Sequence, residues 1–140
     1  MTIQLTDIEL ESTRQLLQDY QPAQEAITIL GENNGLLEAS FEQLWQAKNR
    51  VQSLQGGKSF WEVTKKVLRN EICSNEGFRA KIKEYLNSKD QANASSLLTG
   101  AIGYLVGSIS ISIDSAIATI IVLYIMKVGL DIFCEYTDRD

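Results

Sequence analysis

Histidine is absent from this chain. Its absence excludes Ser-His-Asp and Cys-His catalysis, His-ligated zinc and imidazole pH switching together. Cysteine occurs only twice, at Cys73 and Cys134, too few for a disulfide framework. The expectation is two reduced, buried thiols in a cytoplasmic protein, with a single bridge between them as the alternative. Proline occurs once, at Pro22, and glycine is ordinary at nine, so nothing points to collagen, low complexity or disorder. The opening MTIQLTDIELESTR has no basic stretch followed by an apolar run, so no secretory signal is expected. The Asp and Glu residues fall into no metal-ligand or glycosidase spacing. With no legible acid–base or nucleophile set, the expectation is a protein without enzymatic activity, cofactor, metal or small-molecule ligand.

What is present is helical punctuation and an uneven charge. The 140 residues carry a net charge of −5 and suit a single domain, 1–140, able to bury a core. Residues 1–57 hold eight acids and three bases, 58–89 eight bases and four acids, and 90–140 six acids and two bases. A basic middle thus lies between acidic ends. Residues 1–93 read as amphipathic helices. The first runs from Asp7 to Tyr20, with Thr6 or Asp7 as N-cap. Pro22 fits the first turn of the second, through Ala26, Ile27 and Leu30. Gly31–Gly35 reads as a turn. Leu37, Phe41, Leu44, Trp45 and Val51 recur at helical spacing on a third helix, ended by Gln55-Gly56-Gly57. Ser59 and Glu62 fit a capping box opening a fourth helix to Ile72, with Phe60, Val63, Val67 and Leu68 inward. Because Phe60 and Trp61 are adjacent, one of the two is expected at the surface. Asn75 caps a fifth helix bearing Phe78, Ile82, Tyr85 and Leu86, and a polar linker, Asn87–Asn93, follows.

The block from Ser95 to Met126 contains one charged residue, Asp114. Residues 94–133 read as an apolar helical pair. The sixth helix, Ala94–Gly107, sets Ser96, Gly100, Gly103 and Gly107 on one stripe, where small side chains permit close packing of another backbone. The seventh, Ser115–Phe133, is capped by Asp114 and apolar almost all round, and a helix of that kind is buried on most sides. Between them Ser108–Ile113 alternates like a strand, but no partner strand is visible and an extended connector is expected. One unbroken helix over 95–126 would be about 48 Å long, more than the ~30 Å hydrocarbon core. A broken one leaves the sixth helix at about 21 Å, too short to span. The expected fold is therefore all-α, a single bundle of about seven helices around a central apolar C-terminal helix. Contact of 95–133 with a membrane is the alternative.

An apolar hairpin sheathed by amphipathic helices resembles, in architecture alone, the pore-forming domains of colicins and the Bcl-2-like proteins, which fold soluble and can insert. No BH3-type signature is present. The run ATIIVLYIMKVGLDIFCEY (Ala118–Tyr136) is similar to the tails of small uncharacterised cyanobacterial helical proteins, a resemblance that implies no activity.

Two candidate sites carry partners. Lys65, Lys66 and Arg69 on the fourth helix and Arg79, Lys81 and Lys83 on the fifth form a candidate interaction face for an anionic surface, against the plainer reading of a solvated face tied by Glu62 to Lys66. Net negative charge and sparse aromatics argue against nucleic acid. A protein partner, or pairing of copies through complementary charge, fits better. Gly56-Gly57-Lys58-Ser59 echoes a phosphate-binding loop, but position 52 is Gln where the motif needs Gly, and a helix precedes it rather than a strand. The expected function is a non-enzymatic protein–protein interaction, adaptor or assembly module in the cytoplasm. A membrane-inserting protein using 95–133 is the alternative.

Overall fold

In the computed structural model, residues 3–49, 60–108 and 113–138 are described. The Val51 position, the Gln55–Gly57 turn, the Ser59 cap with the Gly56–Ser59 echo, and the Ile109–Ser112 stretch lie outside them. The described residues form α1 (Asp7–Leu16), a 3-10 turn (Gln21–Ala23), α2 (Gln24–Glu32), α3 (Leu37–Asn49), α4 (Phe60–Ile72), α5 (Glu76–Leu86), α6 (Gln91–Ser108), α7 (Ser115–Val128) and α8 (Leu130–Asp138). The fold is an all-α bundle, and its β content among the described residues is one isolated bridge, Gln4 to Leu36.

Each boundary has a local cause. The Thr6 hydroxyl accepts from the Glu9 amide at 3.1 Å, and the Glu9 carboxylate accepts from the Thr6 amide at 2.9 Å, closing a capping box on α1. Pro22 sits in the first turn of the helical segment that leads into α2, where its missing N–H costs nothing. Asn34 and Gly35 take positive φ after α2, so the turn begins later than Gly31, which stays helical. Asn75 caps α5 by accepting from the Phe78 amide at 3.0 Å, and Asp114 caps α7 by accepting from the Ile117 amide at 2.9 Å. The start of α4 is held by a tertiary cap. The Glu42 carboxylate on α3 accepts from the Phe60 amide at 3.0 Å and the Trp61 amide at 2.6 Å. A carboxylate at these orphan amides also meets the positive end of the helix dipole.

The apolar run does not make one long helix. At Gly129 φ is +97°, a conformation glycine adopts without the Cβ clash other residues suffer. The expected seventh helix therefore divides into α7 and α8. Helix α7 is the centre of the bundle: Ala116 through Ile125 are all buried. It packs against α2, α3, α6, α8 and the 3-10 turn. Its ends are pinned by ion pairs. Lys48 reaches Glu25 at 2.6 Å and Asp114 at 3.1 Å, and Lys127 reaches Glu9 at 2.6 Å. Glu25, then Asp114, raise the Lys48 pKa, and the hydrogen bond from Lys127 leads the causes that lower that of Glu9. The Glu9 pair therefore adds stability above the ordinary glutamate range and loses it as pH falls through the lowered value. No described helix is long and apolar enough to cross a membrane.

Three sequence expectations are corrected. Cys73 and Cys134 are not free thiols: they form a disulfide with Cα atoms 5.8 Å apart, within the ordinary range for a bridge. The reduced-thiol premise for a cytoplasmic location falls with them. On α4, Val63 is 44% exposed, whereas Phe60 and Trp61 are both buried. Adjacent side chains can both be covered because α4 starts inside an aromatic cluster. Phe60 stacks on Trp45 at 5.7 Å, while Trp61 meets Phe41 at 5.0 Å and Tyr124 at 4.6 Å. The third correction concerns α6. Its inward face is Leu98, Ala101, Ile102 and Leu105, and Ser96, Gly100, Gly103 and Gly107 are exposed. A Cβ at Gly100, Gly103 or Gly107 would meet nothing within 4 Å. The stripe is thus no close-packing surface within the chain. Gly103→Ala is expected to raise stability by about 0.5–1 kcal/mol through helix propensity alone, a small upward shift in thermal midpoint. A loss of stability would mean that something packs on that face.

Candidate functional site

Helix α5 is fixed from below. Phe78 and Ile82 are buried. The Tyr104 hydroxyl on α6 donates to Asn75 Oδ1 at 2.9 Å, so the residue that caps α5 also ties it to α6. The Lys81 ammonium lies 5.5 Å from the Tyr104 ring centroid, within cation–π range. On the opposite flank, Arg79 joins three elements. Its Nε donates to the Cys73 carbonyl at 2.9 Å, Nη1 donates to Asp131 Oδ1 at 3.1 Å, and Nη2 lies 3.9 Å from Cys134 Sγ. The disulfide adds a covalent tie between the α4–α5 junction and α8.

These ties hold α5 and α8 on either side of an open groove of about 720 Å³. Ile82 and Leu130, both buried, form its floor, and Leu86 and Ile132 form its lips at 58% and 47% exposure. Large apolar side chains this exposed stand out only when they border one concavity. Glu76 and Lys83 add one charge of each sign to the α5 wall.

The six basic residues singled out by sequence do not make one face. Lys65 pairs with Glu62 at 3.3 Å, one residue earlier than the expected Lys66 partner, and its side chain is 16% exposed. Lys66 is exposed and Arg69 half-buried on α4. Arg79 and Lys83 line the groove, whereas Lys81 is turned to Tyr104 on the other side of α5. The groove's apolar lips had no sequence signal, since Leu86 completes a helical apolar face and Ile132 continues an apolar run. Asp131 is 93% exposed at its side chain, so its bond to Arg79 adds little stability.

Besides the structural pairs, two described groups have a displaced pKa: burial raises that of the half-buried Tyr85, and burial followed by Glu38 raises that of Tyr124. The indole N–H of Trp61 approaches Tyr124 without hydrogen-bond geometry and has no partner among the described residues. Among the same residues no three Cys, Asp or Glu side chains cluster to hold a metal ion. Comparison with protein-family models, curated proteins and solved structures returns no match.

Proposed function

We propose that this chain is a non-enzymatic protein–protein interaction and assembly module that docks another polypeptide in the α5–α8 groove. The observation that carries this reading is the exposure of Leu86 and Ile132 on the two lips of one apolar-floored concavity. A surface of this kind loses water-exposed apolar area when a partner helix lays its own apolar stripe into it. The charges beside it, Glu76 and Lys83, call for a partner bearing the opposite sign at each end, which sets direction and register more than affinity. The groove is open to solvent rather than enclosed, which suits a helix face better than an enclosed small molecule. Helix α7 is covered by the chain's own helices over Ala116–Ile125, so the membrane-inserting alternative would first have to uncover it.

The test compares exposed apolar positions on and off the groove. Leu86→Glu combined with Ile132→Glu is expected to weaken the chain's associations at least about tenfold, because charge would have to be buried at the contact. Val63→Glu, at an exposed position on α4 away from the groove, is expected to leave them unchanged. Sedimentation velocity of the purified chain and quantitative cross-linking in the producing cell supply the readout. Associations that survive the double substitution at full strength reject the groove as the docking surface.

A further inference from the structure

We infer that the groove's occupant is a second copy of this chain, its α5 crossing the first antiparallel about a two-fold axis beside Ala80; this rests on the docking reading above and names the partner. Helix α5 sets Glu76, Ala80 and Lys83 on one stripe, and all three are exposed. A two-fold contact requires a surface complementary to itself, because residue i meets j and j meets i. This stripe meets that requirement. Reversed about its centre, it places Glu76 of each copy opposite Lys83 of the other. The two charges lie seven residues apart, about 10 Å along the helix. The methyl side chain of Ala80 at the crossing point lets the helix axes approach to the close end of the usual 8–10 Å.

Three further observations favour this occupant. First, Glu76 and Lys83 have no ion-pair partner within the chain among the described residues, whereas the neighbouring Arg79 is already engaged by Asp131. The two charges are therefore free to pair across the axis. Second, α5 is preorganised. A Cβ at Gly77 would run into the Tyr104 hydroxyl, so the helix sits in close contact with α6 and presents its outer stripe without rearrangement, which reduces the ordering cost of association. Third, Glu76, Ala80 and Lys83 border the same groove as Leu86 and Ile132, so the stripe lies beside an apolar surface that a docked copy can use.

The experiment is sedimentation equilibrium of the full chain in detergent-free, low-salt buffer from micromolar to millimolar concentration. The wild type is expected to form a reversible dimer. Lys83→Glu and Glu76→Lys each set like charges against one another across the axis and should weaken the dimer roughly tenfold or more. The double variant Glu76→Lys/Lys83→Glu restores opposite signs and should return to within about threefold of the wild type. Both positions are exposed, so at dilutions where the wild type is monomeric the single variants should unfold within about 1 kcal/mol of it, the cost of reversing a charge in the first or last turn of α5, which separates lost association from lost folding. A wild type that is monomeric throughout overturns the inference. So does a dimer that the single variants leave intact, or one that the double variant fails to restore. A monomeric wild type that still binds another protein through Leu86 and Ile132 would remove the second copy and leave the docking reading standing.

Discussion

Reducing the Cys73–Cys134 bridge is expected to lower the thermal midpoint by about 12 °C, measured by calorimetry with and without a phosphine reductant. The bridge joins positions 61 residues apart. Closing a loop of that length removes chain entropy worth about 4 kcal/mol from the unfolded state, and a chain of this size loses roughly 3 °C per kcal/mol. The loss should be concentrated at α8. That helix has nine residues, too few to hold its shape unaided, and it follows a glycine break at position 129. With the bridge gone, α8 keeps Leu130 and Phe133 in the core and the exposed Arg79–Asp131 pair among its anchors. Cys73 and Cys134 are both half-buried, so a reductant can reach them without prior unfolding. The paired substitutions Cys73→Ser and Cys134→Ser should reproduce the shift with no reductant present. An unchanged midpoint in both experiments would show that the two sulfurs are not bonded in the folded protein.

Trp61→Ala should cost about 3–5 kcal/mol, the range for deleting a buried large aromatic side chain. Trp61 is 2% exposed and joins α4 to α3 and α7 through Phe41 and Tyr124. Its ring fills the space where those three helices meet, and alanine leaves a cavity that a close-packed core cannot fully collapse. Trp61→Phe should cost well under half as much. It keeps most of the apolar contact and removes an indole N–H that has no described acceptor, a group whose burial opposes folding by roughly 1–3 kcal/mol. Val63→Ala, two positions along the same helix but 44% exposed, should stay within about 0.5 kcal/mol of the wild type. Urea unfolding of the three variants decides the matter. Equal losses at 61 and 63 would mean that α4 is rotated from the face described.

The elements legible in the sequence are those set by local chemistry. Thr6 with Glu9, Asn75 and Asp114 mark helix starts through short-range side-chain-to-amide bonds, and each is readable from a few residues. The buried centre of the fold was also legible, because α7 carries large aliphatic residues on nearly every side before Lys127, and a helix of that kind is buried on most sides. Tertiary choices were not. Helix α6 has no charged residue, so neither of its faces is marked as outward; the small stripe invited a close-contact reading, yet the aliphatic face of Leu98, Ile102 and Leu105 won because it buries more apolar area. The break at Gly129 was hidden inside continuous apolar periodicity. The disulfide depends on α8 turning back to the α4–α5 junction, a consequence of that break. The candidate site was legible only in fragments. Arg79 and Lys83 were singled out for charge, but the groove they border arises where α5 faces α8, and the cap from Glu42 on α3 to α4 is equally a product of the assembled bundle.

The account depends most on α7 being enclosed by the chain's own helices, and isoleucine methyl NMR with a soluble paramagnetic relaxation agent tests this directly. In detergent-free buffer the methyl signals of Ile117, Ile120, Ile121 and Ile125, all at most 2% exposed, should keep their intensity, while that of Ile8, at 82% and away from the groove, should broaden. Broadening of the four α7 methyls to the level of Ile8 would show the apolar helix open to solvent and would contradict the fold on which the groove and its function rest.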